Sequence, residues 1–141
     1  MKQSSNKVSF DFCEIVLTKD GLFHIDIFPN SNIGKTEVIS IVDAMLKLSK
    51  GEILPALILM GEFTEISKEA REYTADPKRP LAANALAFVL NNSGHRIIAN
   101  FFMALNKPVK PVRFFKKEKE ALLWLNQFKL KKSFYLDNIE V

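Results

Sequence analysis

Residues 84–128 constrain this chain more than any other stretch. An apolar run at residues 85–90 breaks at Asn91-Asn92-Ser93-Gly94, and a helical block follows at residues 96–105. Asn106-Lys107-Pro108 stops that block, because proline lacks a backbone N–H and turns the residue before it away from the helix. Residues 111–115 are short and rich in β-formers. Residues 117–128 are amphipathic, with Ala121, Trp124, Leu125 and Phe128 at i, i+3, i+4 and i+7. Strand, helix, strand, helix predicts an α/β fold on a largely parallel sheet.

The first half extends the pattern. Residues 8–19 and 21–28 read as two strands joined at Lys19-Asp20-Gly21, with both central turn positions able to take positive φ. Phe23, Ile25 and Ile27 share one face of the second strand, and His24 and Asp26 the other. In the first strand Phe10 and Phe12 have one parity and Ile15 and Leu17 the other. That switch predicts a bulge near Cys13-Glu14 or pairing on both faces. Val38, Ile41, Val42, Met45 and Leu48 form a helical stripe that ends at Gly51, and residues 56–60 read as a buried strand. Ser67 reads as an N-cap, with Ile66, Ala70 and Tyr73 on the inner face of the helix behind it. No internal repeat is expected. The predicted order is β-β-α-β-α-β-α-β-α, in one domain over residues 1–128 with a C-terminal tail at 129–141.

Composition excludes several classes. A chain of 141 residues, 48% hydrophobic and 26% charged, can bury a core without staples. The twelve Phe are read as core packing. Cys13 is the only cysteine, so no disulfide closes within the chain; it is read as a small buried hydrophobe and fits a reducing cytoplasm. No apolar run reaches the roughly 20 residues of a membrane span, and the first residues lack the apolar core of a secretory signal. Of the net charge of +4, a strong excess lies at residues 107–132, with nine Lys or Arg against Glu118 and Glu120. Those bases are not interleaved with exposed aromatics, so a solvated face is expected rather than nucleic-acid binding.

The landmarks together resemble the STAS-like fold of bacterial anti-sigma-factor antagonists. They are closer still to uncharacterised bacterial proteins grouped with that fold and with the CRAL-TRIO lipid-binding fold. The matching pieces are Ser67-Lys68-Glu69-Ala70-Arg71, the strand at 85–90, residues 96–102, Asn106-Lys107-Pro108, the strand at 111–115 and Ala121-Leu122-Leu123-Trp124-Leu125. They cover most of residues 8–128. In the antagonists, an Asp-Ser-Ser/Thr-Gly motif after the third strand is phosphorylated on a hydroxyl, which switches binding to a kinase-like partner. The corresponding stretch here is residues 60–67, and that motif is absent. Thr64 and Ser67 are its hydroxyls and the phosphoacceptor candidates, flanked by Glu62, Glu65 and Glu69.

Other motifs are weaker. Gly34-Lys35-Thr36 ends like a phosphate loop, but such a loop needs glycine where Pro29 stands, so that reading is rejected. His24 and Asp26 make a polar pair without metal-ligand spacing, and no metal or cofactor is expected. Asn92, Ser93, His95 and Arg96 sit where a parallel strand should meet a helix. They are candidates for a ligand or anion loop, against the plainer reading of a Ser-capped turn. Phe101 and Phe102 widen their helix face and are candidates for an apolar pocket or interface. The resemblance implies a non-enzymatic regulatory or protein-interaction module with an unknown protein partner; the cysteine usage and the missing signal predict a cytoplasmic protein, and the apolar tail with the wide Phe101-Phe102 face predicts a homodimer. The alternative is a carrier or sensor of a small apolar or lipid-like ligand.

Overall fold

A computed structural model describes residues 2–3, 5–76, 78, 82–90 and 110–129. Among these residues nine strands and three helices follow one another: β1 (Lys2–Gln3), β2 (Lys7–Ser9), β3 (Cys13–Leu17), β4 (Phe23–Ile27), β5 (Asn32–Ile33), α1 (Lys35–Ser49), β6 (Leu54–Met60), β7 (Glu65–Ile66), α2 (Lys68–Ala75), β8 (Ala83–Val89), β9 (Val112–Phe115) and α3 (Glu118–Leu125), which tightens into a 3₁₀ turn at Asn126–Phe128. Among the described residues one mixed sheet runs β1-β2-β3-β4-β6-β8-β9, antiparallel from β1 to β4 and parallel from β4 to β9. The expected parallel α/β core is present. The helix predicted over 96–105 and the tail beyond Lys129 lie outside the described residues.

The first predicted strand is two strands. Val8 pairs with Ile15 and Ser9 with Glu14, antiparallel, and the Phe10 N–H donates to the Cys13 carbonyl at 2.8 Å. The parity switch therefore marks a chain reversal at Asp11-Phe12, not a bulge. The Asp20-Gly21 turn also differs in kind from the expected one. Only Gly21 is left-handed (φ 83°), with its N–H on the Thr18 carbonyl, so one glycine does what two positive-φ residues were expected to do.

Two apolar clusters lie on opposite faces of the sheet. Ile15, Phe23, Ile25, Ile27, Ala56, Met60 and Phe88 pack against Val38, Met45 and Leu48 of α1 and Ala70 of α2. Leu57, Ala85 and Ala87 pack against Ala121 and Leu125 of α3, with Trp124 and Phe128 half-buried beside them. The small residues Ala85 and Ala87 on β8 let α3 come close to this face of the sheet. Arg113 covers the aromatic rings at this edge, its guanidinium 5.4 Å from the Phe115 ring and 6.0 Å from Trp124. The end of α3 is tied at two points: Asn84 Nδ2 donates to the Phe128 carbonyl at 2.9 Å, and Lys129 pairs with Asp20. Lys129, with the Thr18 hydroxyl, holds the Asp20 carboxyl below the ordinary carboxylate range. Cys13 is fully buried. Burial, with the Asp26 charge adding to it, pushes its thiol up to about 12, so no thiolate forms near neutrality.

Lys110 enters β9 half-buried, and burial pulls its ammonium down to about 8. Unfolded lysine titrates near ~10.4. Between those values the unfolded chain holds the extra proton, so this group makes stability rise with pH across that window. Lys110→Met is expected to stabilise the fold near neutrality by no more than about 1 kcal/mol, because a half-exposed charge is partly screened by solvent. The advantage should disappear as pH passes the unfolded lysine value. Urea midpoints of both proteins on either side of the window check it, and a gap independent of pH would rule out the titration.

Candidate functional site

The carboxyl ends of β4 and β6 meet in two loops built to one plan. In register, Ile27 faces Met60 and Ile33 faces Ile66, so each position of the first loop has its counterpart thirty-three residues later. Asn30 (φ 61°) matches Phe63 (φ 60°), both left-handed. Ser31 matches Thr64, both buried, and both hydroxyls donate to the Phe28 carbonyl, at 2.7 and 3.2 Å. The likeness is confined to these loops and the helix starts behind them. Ser31-x-Ile33-Gly34-Lys35 and Thr64-x-Ile66-Ser67-Lys68 share hydroxyl, isoleucine, small cap and lysine, too little to stand out without the paired backbones.

Lacing between the loops holds their shape. The Gly61 N–H donates to Ile27, Asn30 N–H to Glu62, Glu65 N–H to Ser31 and Ser67 N–H to Ile33, all between 2.8 and 3.0 Å. The adjoining hairpin is drawn in as well, since the Phe28 N–H donates to the Phe12 carbonyl at 2.9 Å. Three chain segments thus converge at one end of the sheet: the Asp11-Phe12 turn, residues 28–31 and residues 61–64.

Each loop delivers a helix start, and the two starts divide one device between them. At α1 the Glu37 carboxylate accepts the Gly34 N–H at 2.8 Å. At α2 the Ser67 hydroxyl accepts the Ala70 N–H at 3.0 Å. A carboxylate therefore occupies the place at Gly34-Lys35-Thr36 where a phosphate would need to sit. Removing the other cap by Ser67→Ala is expected to lower stability by about 1 kcal/mol, read as a shift of the thermal midpoint. No shift would mean that water replaces the hydroxyl without cost.

What sets the second loop apart is its tip. Asparagine tolerates the left-handed region, because its short side chain bonds locally; phenylalanine does not, and a left-handed residue costs roughly 1–2 kcal/mol. Yet Phe63 is left-handed and 68% exposed, so burial repays little of that strain. Glu62 and Glu65 beside it are exposed, and Lys35 lies 4.0 Å from Glu69 at the start of α2.

Of the phosphoacceptor candidates, Thr64 is 2% exposed and Ser67 is exposed while engaged as the cap. Asn92, Ser93, His95, Arg96, Phe101 and Phe102 lie outside the described residues. His24 pairs with Glu118 of α3 at 3.6 Å, and Asp26 stands exposed on the same face. Among the described residues no cluster of His, Cys, Asp or Glu could hold a metal, and no helix is long and apolar enough to cross a membrane. Sequence reasoning missed Phe63. Its signal was a lone large apolar residue between glutamates directly after an apolar strand.

Comparison with curated proteins gives no match. Among solved structures, an uncharacterised protein of the DUF3478 family with a SpoIIAA-like fold, from Shewanella loihica PV-4, matches with a TM-score of 0.51 at 17% identity. The match covers 80% of this chain and 91% of that one. Such identity shows fold alone, and the fold it shows is the STAS-like one that the landmarks of residues 67–125 resemble. A family model described as Domain of unknown function (DUF7793) matches residues 16–129, and the chain belongs to that family.

Proposed function

We propose that this chain is a non-enzymatic protein-interaction module of the STAS-like type, and that it presents the loop at residues 61–64 to another protein. The observation that carries the reading is Phe63: an exposed aromatic side chain held left-handed, in a loop whose counterpart uses Asn30 for the same turn. Strain kept where it gives no packing in return is a mark of function. The loop also lies outside the carboxyl ends of parallel strands, where open α/β sheets place their contacts. Aromatic residues, Phe among them, are enriched at protein interfaces. The contact works without the Asp-Ser-Ser/Thr-Gly motif of the antagonists, since residues 60–67 lack it.

A photoreactive phenylalanine analogue at position 63 keeps the ring in place and tests the reading in the source cells. The expected result is a covalent complex with another protein on irradiation. The same analogue at Leu123, 65% exposed on α3, should give none. No product at 63, or equal products at both positions, would sink the proposal.

A further inference from the structure

The proposed contact has a definite electrostatic sign. Asp11, Glu62 and Glu65 are all exposed, on the hairpin turn and on the second loop and its short strand. Residues 10–12, 28–34 and 61–67 at this end of the sheet contain no Lys, Arg or His, and the bases that directly follow them, Lys35 and Lys68, pair with Glu69 and Glu72. Among the described residues none of the three carboxylates has a cationic partner within salt-bridge distance, whereas Glu14, Asp20, Asp43, Glu69, Glu72 and Glu118 do. The apolar content of the same end is aromatic. Phe63 projects, and Phe10 and Phe12 stack half-buried at the adjoining turn with ring centroids 5.2 Å apart.

We infer that the segment docking on Phe63 is a cationic stretch of another protein, one that carries Lys or Arg side chains. Two interactions select it. Three unpaired carboxylates attract cations over roughly 8 Å at physiological ionic strength. The face of an exposed ring also attracts an ammonium or guanidinium. An acidic segment would meet like charge, and a purely apolar one would leave the carboxylates facing it without partners. The excess of base in this chain lies at residues 107–132, so the local sign at this end runs against the chain's net charge of +4.

This inference rests on the docking proposed above, and its test separates the two. Cross-linking from position 63 is repeated in extracts at low and raised salt, in the parent and in the Glu62→Gln/Glu65→Gln variant, and the joined peptide is sequenced by mass spectrometry. The expected peptide comes from another protein and holds more Lys and Arg than Asp and Glu. The expected yield falls about fivefold in the double variant, and falls likewise with salt in the parent. Both substituted positions are exposed, so folding is not at stake. A neutral or acidic peptide, or a yield indifferent to the carboxylates, overturns the cationic assignment while docking at Phe63 stands; a peptide from a second copy of this chain overturns the docking on another protein as well. No cross-link at all overturns both.

Discussion

Phe63→Gly is expected to make the protein more stable and to abolish docking at its loop. Left-handed phenylalanine carries roughly 1–2 kcal/mol of backbone strain, and glycine removes it. Glycine returns about 0.5–1 kcal/mol as extra freedom of the unfolded chain. Because the ring is 68% exposed, its loss forfeits little burial. The net expectation is a gain of about 0.5–1 kcal/mol, read from urea midpoints at constant slope. Phe63→Asn should gain as well, since asparagine already holds the matching position at Asn30. Stability and contact would then move in opposite directions on one substitution, the pattern of a residue kept for what it binds. A Phe63→Gly protein less stable than the parent would mean that the ring packs in solution, and the case for an exposed anchor would fall.

How much of this was legible in the sequence depends on which forces set each feature. The stripe Val38–Ile41–Val42–Met45–Leu48 and the set Ala121–Trp124–Leu125–Phe128 obey helical periodicity, and both proved to face apolar clusters. Phe23, Ile25 and Ile27 obey strand periodicity, and all three are buried. The reversal at Asp11-Phe12 carries no glycine or proline. Pairing of Val8 with Ile15 and the long-range bond from Phe28 to Phe12 hold it, and neither leaves a local trace in composition. The left-handed tip at Phe63 was hidden for the same reason. Lacing between residues 28–33 and 61–67 sets its φ, against the preference of the residue itself. Ser67 as a cap was legible because capping is local; the enclosure of Thr64, bonded across thirty-six residues to Phe28, was not.

The same lacing makes Gly61 the least replaceable residue of the site. A Cβ built on it would stand 2.4 Å from the Pro29 nitrogen, 2.5 Å from the Phe28 carbonyl carbon and 2.6 Å from the Ile27 oxygen. All three are backbone atoms at the end of β4, so no side chain can swing aside to make room. Alanine would have to force the two loops apart by about an ångström to reach ordinary contact distance. That separation stretches the bond from Gly61 to Ile27 and the bond from Asn30 to Glu62, and it disturbs the pairing of β5 with β7 that aims both helix starts. Gly61→Ala is therefore expected to cost about 3 kcal/mol or more, at the upper end for overpacking. Gly51 supplies the control. It is left-handed (φ 87°) but has nothing within 4 Å of its would-be Cβ, so Gly51→Ala should cost only the roughly 1–2 kcal/mol of a left-handed alanine. Denaturant midpoints of the two variants decide the matter. Equal losses would mean that strands β4 and β6 do not approach this closely in solution. A much larger loss at Gly61 would show that the close approach at their ends, which sets the left-handed tip at Phe63, is the structural foundation of the site.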